Sequence, residues 1–179
     1  MKLWDKGISI DKKIEKFTVG NDRELDLFLA EYDITASKAH AKMLGKIEIL
    51  TSDEVESILV ELNKLQDQVA DGSFVIEEDF EDVHSKIEFE LTKTLGDTGK
   101  KIHTARSRND QVLVAMQLYF KANLLEIYSK TESLIDVLLG LANKHQNKLL
   151  PGYTHLQVAM PSSFGLWFSA YAEILIDDL

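Results

Sequence analysis

Residues 109–149 read NDQVLVAMQLYFKANLLEIYSKTESLIDVLLGLANKHQNKL, 41 positions without a proline. Val112, Ala115, Tyr119, Ala122, Ile127, Leu134, Leu138, Leu141 and His145 recur at helical spacing, with some drift. Gly140 is the one weak point. The pattern predicts a single helix about 60 Å long at 1.5 Å per residue. A compact domain of this size is only about 40 Å across. Such a helix would outrun its own domain, and long helices of this kind are stabilised by packing against others in a bundle. The stretch therefore predicts an all-α fold that needs partner helices.

The rest of the chain fits that expectation. Of 179 residues only Pro151 and Pro161 are proline, and both lie after the long helix. Upstream, Asn21 and Glu24 have the layout of a capping box, and Leu25, Phe28, Tyr32, Ala36, Ala39 and Met43 follow on one helical face up to a stop at Gly45. Residues 1–20 read as irregular. Thr51 and Glu54 open a second helix, with Val55, Ile58, Leu59, Leu62, Leu65 and Val69 as its apolar stripe and Asp71-Gly72 at its end. Gly72–Ile76 suits a loop or a short extended piece. Asp79 is the expected cap of a third helix carrying Phe80, Val83, Ile87, Leu91 and Leu95, and Gly96–Gly99 the expected loop after it. Past the long helix, Pro151-Gly152 marks a break, and Pro161 suits the first turn of a final helix. That helix is apolar almost all round, from Phe164 to Ile176, which predicts an interior position. It stops at Asp177-Asp178-Leu179 without a cap and with two carboxylates at the negative end of the helix dipole, the look of a cut.

Composition narrows the function. Apolar residues make up 45% and charged residues 28%, ordinary for a globular protein. Without cysteine there is neither a disulfide framework nor a thiolate metal site. No run of about 20 apolar residues predicts a membrane span, and Met1–Asp11 lacks the apolar core of a secretory signal. A net charge of −10 argues against a nucleic-acid-binding body. A cytoplasmic protein is expected. The charge is uneven: Glu48 to Asp97 holds 15 acids against Lys64, Lys86 and Lys93, and then Lys100, Lys101, Arg106 and Arg108 reverse the sign. The acidic tract reads as solvated helix faces.

Two strings carry candidate chemistry. In His103–Gln111, Arg106 and Arg108 can grip a carboxylate with paired N–H donors, and Ser107, Asn109 and Gln111 add neutral donors. A helix starting near Asn109 would add free amides that favour an anion. The same string would also serve simply to neutralise the acids before it. Further on, Thr154, His155 and Gln157 cluster between helices. His155 is suited to proton transfer near neutral pH, or to a structural role. His84 and Glu88 have the i,i+4 spacing of a metal pair but no further ligands at metal spacing.

Four strings occur in order: Asp33-Ile34-Thr35-Ala36-Ser37-Lys38-Ala39-His40, Glu81-Asp82-Val83-His84, His103-Thr104-Ala105-Arg106-Ser107-Arg108-Asn109-Asp110-Gln111 and Gly152-Tyr153-Thr154-His155-Leu156-Gln157. Together they resemble the argininosuccinate lyases of the fumarase/aspartase superfamily, over nearly the whole chain. The resemblance implies elimination of fumarate from argininosuccinate to leave arginine, in arginine biosynthesis, with no cofactor. It implies substrate binding by Ser107, Arg108, Asn109 and Thr154, proton transfer by His155, and a homotetramer built through bundle helices. It implies an N-terminal helical domain over residues 1–108 and an incomplete central bundle over 109–179. The family's proton-accepting serine sits in a Gly-Ser-Ser-x-Met-Pro-x-Lys loop that these residues lack, so the 179 residues alone are expected to be inactive. Three departures stand out. Leu3-Trp4-Asp5-Lys6-Gly7-Ile8 replaces the family's Leu-Trp-Gly-Gly-Arg-Phe, Phe17-Thr18-Val19-Gly20 lacks a substrate-contacting serine, and Met160-Pro161 stands for Gln-Pro. Two other readings fit the same residues: a non-catalytic helical assembly module, and another superfamily lyase such as adenylosuccinate lyase.

Overall fold

The computed structural model describes residues 11–179, so the Leu3–Ile8 departure lies outside the described residues. The chain divides between Phe120 and Lys121 into two compact units.

The first unit is built on three helices, α3 (Ala30–Lys46), α4 (Ser52–Asp71) and α5 (Val83–Leu95). Their stripes fall at helical spacing: Ile34, Ala41 and Leu44, then Ile58, Leu62 and Leu65, then Val83, Ile87 and Leu91. All are buried in one core with Phe74, Ile76, Phe80 and Ile102. The start of α4 is as expected. Glu54 N donates to Thr51 Oγ1 at 3.3 Å while Thr51 N donates to Glu54 Oε2 at 2.9 Å. Gly72 ends it in the left-handed conformation, φ 78°. Residues 73–78 form no regular element, so the loop reading of Gly72–Ile76 holds. Arg23 pins the following segment through Nε to the Phe80 carbonyl, 2.7 Å, and Nη2 to the Glu78 carbonyl, 2.6 Å.

Several expected boundaries are corrected. Residues 12–19 form a helix, α1 (Lys12–Val19), whose cap Asp11 accepts from Lys13 N at 2.8 Å. The Phe17-Thr18-Val19-Gly20 departure is its end. Asn21 makes no side-chain cap, and the helix it was expected to open is divided into α2 (Asp22–Leu25), a 3₁₀ turn (Asp26–Leu29) and α3. Gly45 lies inside the last turn of α3, where a Cβ would sit 2.6 Å from Val55 Cγ2. It serves close packing there and does not stop the helix. The cap of α5 is Asp82, not Asp79: Asp82 Oδ1 accepts from Ser85 N at 2.7 Å. After Gly96 the chain forms a short helix, α6 (Asp97–Lys100), and a 3₁₀ turn (Lys101–His103) where a loop was expected.

The long helix is present as α7 (Arg108–His145), 38 residues, which begins in the first unit and ends in the second. In the second unit an antiparallel hairpin, β1 (Leu149–Thr154) and β2 (Gln157–Ser163), leads into α8 (Phe164–Asp177). Pro161 therefore lies on a strand opposite Pro151, and Ser163 caps α8 by accepting from Leu166 N at 3.1 Å. Two prolines are tolerated because each strand of a two-stranded sheet is an edge. The expected interior position of α8 is not met within this chain. Only Gly165 and Ala172 are buried, while Leu166, Trp167, Tyr171, Ile174 and Ile176 are exposed. Among the described residues no helix is long and apolar enough to cross a membrane. The architecture is all-α with one small hairpin.

Candidate anion-binding site and hairpin tip

The basic string begins on the 3₁₀ turn at His103 and reverses at Ala105, whose φ of 59° is unusual for a residue with a Cβ. Ser107 then opens α7. Its N–H donates to Asp110 Oδ2 at 2.7 Å, its hydroxyl to the same oxygen at 3.0 Å, and Asp110 N reaches back to Ser107 Oγ at 3.4 Å. This reciprocal cap satisfies two amides that the first turn leaves over. The Ser107 amide holds the Asp110 carboxyl below the usual aspartate range. The expected helix start near Asn109 is thus Arg108, with Ser107 as the cap and Asn109 in the first turn.

The two arginines have different surroundings. Arg106 is buried, donates from Nη1 to Ser37 Oγ at 3.0 Å, and has Glu88 Oε1 3.9 Å from Nη2. Burial lowers its basicity, and Asp33 and Glu88 act against that shift. Arg108 is a quarter exposed, with Nη1 on Asp82 Oδ1 at 2.7 Å and Nη2 on Ser85 Oγ at 3.0 Å. Glu88 Oε1 also takes His103 Nδ1 at 2.8 Å and the buried Gln111 Nε2 at 3.0 Å. The string is therefore tied to α5 at two carboxylates, Asp82 and Glu88. Ser107 and Asn109 are left toward solvent at the amide-rich end of a long helix, with the anchored, partly exposed Arg108 between them. Hydroxyl, guanidinium, side-chain amide and helix N-terminus together suit a carboxylate.

Thr154 and His155 belong to the second unit. They are exposed at the tip of the hairpin, where Thr154 pairs with Gln157. His155 and Leu156 form the two-residue turn with φ of 49° and 64°. Positive φ at both central residues is the geometry that usually selects Asn-Gly. A histidine held there carries backbone strain of a kind that clusters at functional sites. His84 and Glu88 meet different partners: His84 faces Asp33, and Glu88 holds His103 and Gln111. Among the described residues no group of three or more His, Cys, Asp or Glu is placed to hold a metal ion.

The sequence profile of the lyase family matches residues 7–179. The chain belongs to that family. It is 53% identical to an argininosuccinate lyase of Phocaeicola vulgatus over 178 residues, 99% of this chain and 40% of the relative. With an argininosuccinate lyase of Xylella fastidiosa the identity is 46%, over 98% of this chain and 40% of the relative. The chain thus spans about 40% of the length of the curated relatives it matches. Among solved structures, EDDS lyase in complex with formate has a TM-score of 0.72 at 25% identity, over 97% of this chain and 34% of that one. The fumarate lyase:delta crystallin of Brucella melitensis has a TM-score of 0.74 at 17% identity, over 99% and 45%, a likeness of fold.

Within this family member, residues to which the sequence assigned no part in anion binding lie next to the basic string. Asp82, Ser85 and Glu88 each hold part of it, and Ser37 receives Arg106. Asp82 and Ser37 stood in quoted strings, but no local spacing links them to residues many positions away.

Proposed function

We propose that this chain is the N-terminal portion of an argininosuccinate lyase. The reaction is a β-elimination: a base takes a proton from the succinyl Cβ, the bond from Cα to the guanidino nitrogen breaks, and fumarate and arginine leave. The Arg108 guanidinium, Ser107 hydroxyl and Asn109 amide bind a succinyl carboxylate. Negative charge that builds on that carboxylate as the Cβ proton leaves is stabilised by donors already in place. Thr154 holds the substrate from the hairpin, and His155 takes part in moving the proton. The working protein is a homotetramer in the cytoplasm. Tetramer assembly covers the apolar surface of α8.

The observation that carries this reading is the Ser107-Arg108-Asn109 segment at the start of α7, with Ser107 and Asn109 exposed and Arg108 a quarter exposed, in a chain 53% identical to an argininosuccinate lyase. The test is fumarate release from argininosuccinate, followed by ultraviolet absorbance, for the protein made from the complete reading frame. Turnover is expected there and none from the 179 residues alone. A complete protein that yields no fumarate from argininosuccinate sinks the reading, and so does robust turnover by the 179 residues. Adenylosuccinate run in parallel separates the neighbouring lyase activity.

A further inference from the structure

One oxygen of Asp82 has two tasks. Asp82 Oδ1 caps α5 by accepting from Ser85 N at 2.7 Å, and it also accepts from Arg108 Nη1 at 2.7 Å. Ser85 Oγ accepts from Arg108 Nη2 at 3.0 Å. Both η nitrogens of Arg108 are thus anchored on the first turn of α5. A guanidinium has five N–H donors. Two are used here, so the Nε–H and one hydrogen on each η nitrogen remain for a ligand. The side chain is a quarter exposed. A free arginine would lose rotamer freedom when it gripped a carboxylate, whereas an anchored one has already lost it.

We infer that Asp82 is the positioning residue that fixes the Arg108 guanidinium for a substrate carboxylate, with Ser85 as its second anchor. The inference rests on the reading of Arg108 as a substrate contact. Asp82 itself touches no substrate. The opposite role is physically distinct: a carboxylate that merely competed for Arg108 would weaken ligand binding, and its removal would tighten it.

Asp82→Asn separates the two tasks, because asparagine caps a helix about as well as aspartate but carries no charge. Ser85→Ala removes the second anchor and leaves the capped amide. In the protein from the complete reading frame, Asp82→Asn is expected to raise KM for argininosuccinate about tenfold, with a smaller change in kcat. Ser85→Ala is expected to raise KM by less. The deciding measurement is a double-mutant cycle with Arg108→Ala. Once Arg108 is gone, Asp82→Asn should add nothing further to KM, whereas a structural role would persist. An unchanged or lowered KM in Asp82→Asn overturns the inference, as does an equal rise in the Arg108→Ala background. If Arg108→Ala leaves KM unaltered, the site reading fails and the inference with it. A parent protein without turnover removes both.

Discussion

The Asp33 carboxylate lies 3.1 Å from the His84 imidazole, from Oδ1 to Nδ1, and neither side chain reaches solvent. The two atoms are off the line of a hydrogen bond, so the imidazole meets the carboxylate by proximity alone. Arg106 feels the same aspartate through the field. Removing Asp33 takes away the carboxylate beside His84 and leaves the buried Arg106 with one acidic neighbour fewer. Asp33→Ala is expected to destabilise the protein by about 3 kcal/mol. A paired replacement, Asp33→Leu with His84→Phe, should cost less than Asp33→Ala alone. Urea unfolding curves for the two variants check this, and equal losses would show that the charge is not what matters.

Glu54 gives a pH signature. Its carboxyl is held below the usual glutamate range, first by the hydrogen bond from Lys101 Nζ at 2.5 Å, then by the Thr51 amide. A depressed folded value means that its contribution is present above the unfolded value of about 4.3 and is lost as pH falls through the folded one. Melting temperature measured from pH 6 down to pH 3 should therefore decline less steeply in Glu54→Gln than in the parent. Thr51→Ala removes the other half of the capping box and should cost about 1 kcal/mol at neutral pH. An unchanged acid slope in Glu54→Gln would remove Glu54 from the account.

What was legible in the sequence is what depends on neighbours along the chain. The Thr51–Glu54 cap, the Gly72 stop and the 58, 62, 65 stripe are local patterns, and each was readable. The Ser107–Asn109 segment stood out by its local composition, while its proposed roles came from the resemblance. The hairpin was not readable, because its turn is His155-Leu156 in place of a glycine-bearing pair and prolines stand opposite each other on its strands. The cap of α5 was misplaced because Asp79 and Asp82 are equally plausible acids before an apolar run. Only the Asp82 hydrogen bond to Ser85 N distinguishes them. The anchors of the basic string lie 15 to 69 positions away from their partners, where no periodicity operates.

His155→Asn tests the proton-transfer role without disturbing the turn. Asparagine tolerates the left-handed conformation that His155 adopts at φ 49°, so the hairpin should survive while the imidazole is lost. Loss of a positioned acid or base lowers turnover by about 10²–10⁴. In the protein from the complete reading frame, kcat should fall by that order, with the circular dichroism spectrum and assembled mass unchanged. Retained kcat would take His155 out of the reaction. An intact tetramer without turnover would exclude a purely structural role for the family fold here.

Trp167, Tyr171 and Ile174 follow one another at helical spacing on α8, and all three are exposed. The Trp167 and Tyr171 rings meet edge to face at 5.5 Å, which makes the face continuous. Contiguous apolar surface of this kind marks an interaction site on a soluble protein. In the proposed tetramer it is covered by helices of the assembled bundle. Ile174→Glu puts a charge on that face, and a buried unpaired carboxylate is strongly unfavourable. Sedimentation velocity across a dilution series should show the variant dissociating at a concentration at least about tenfold higher than the parent. Lys64→Glu, on an exposed position of α4, should leave the assembled mass unchanged. A variant that stays tetrameric at the parent's dilution would place the assembly contacts elsewhere than on α8.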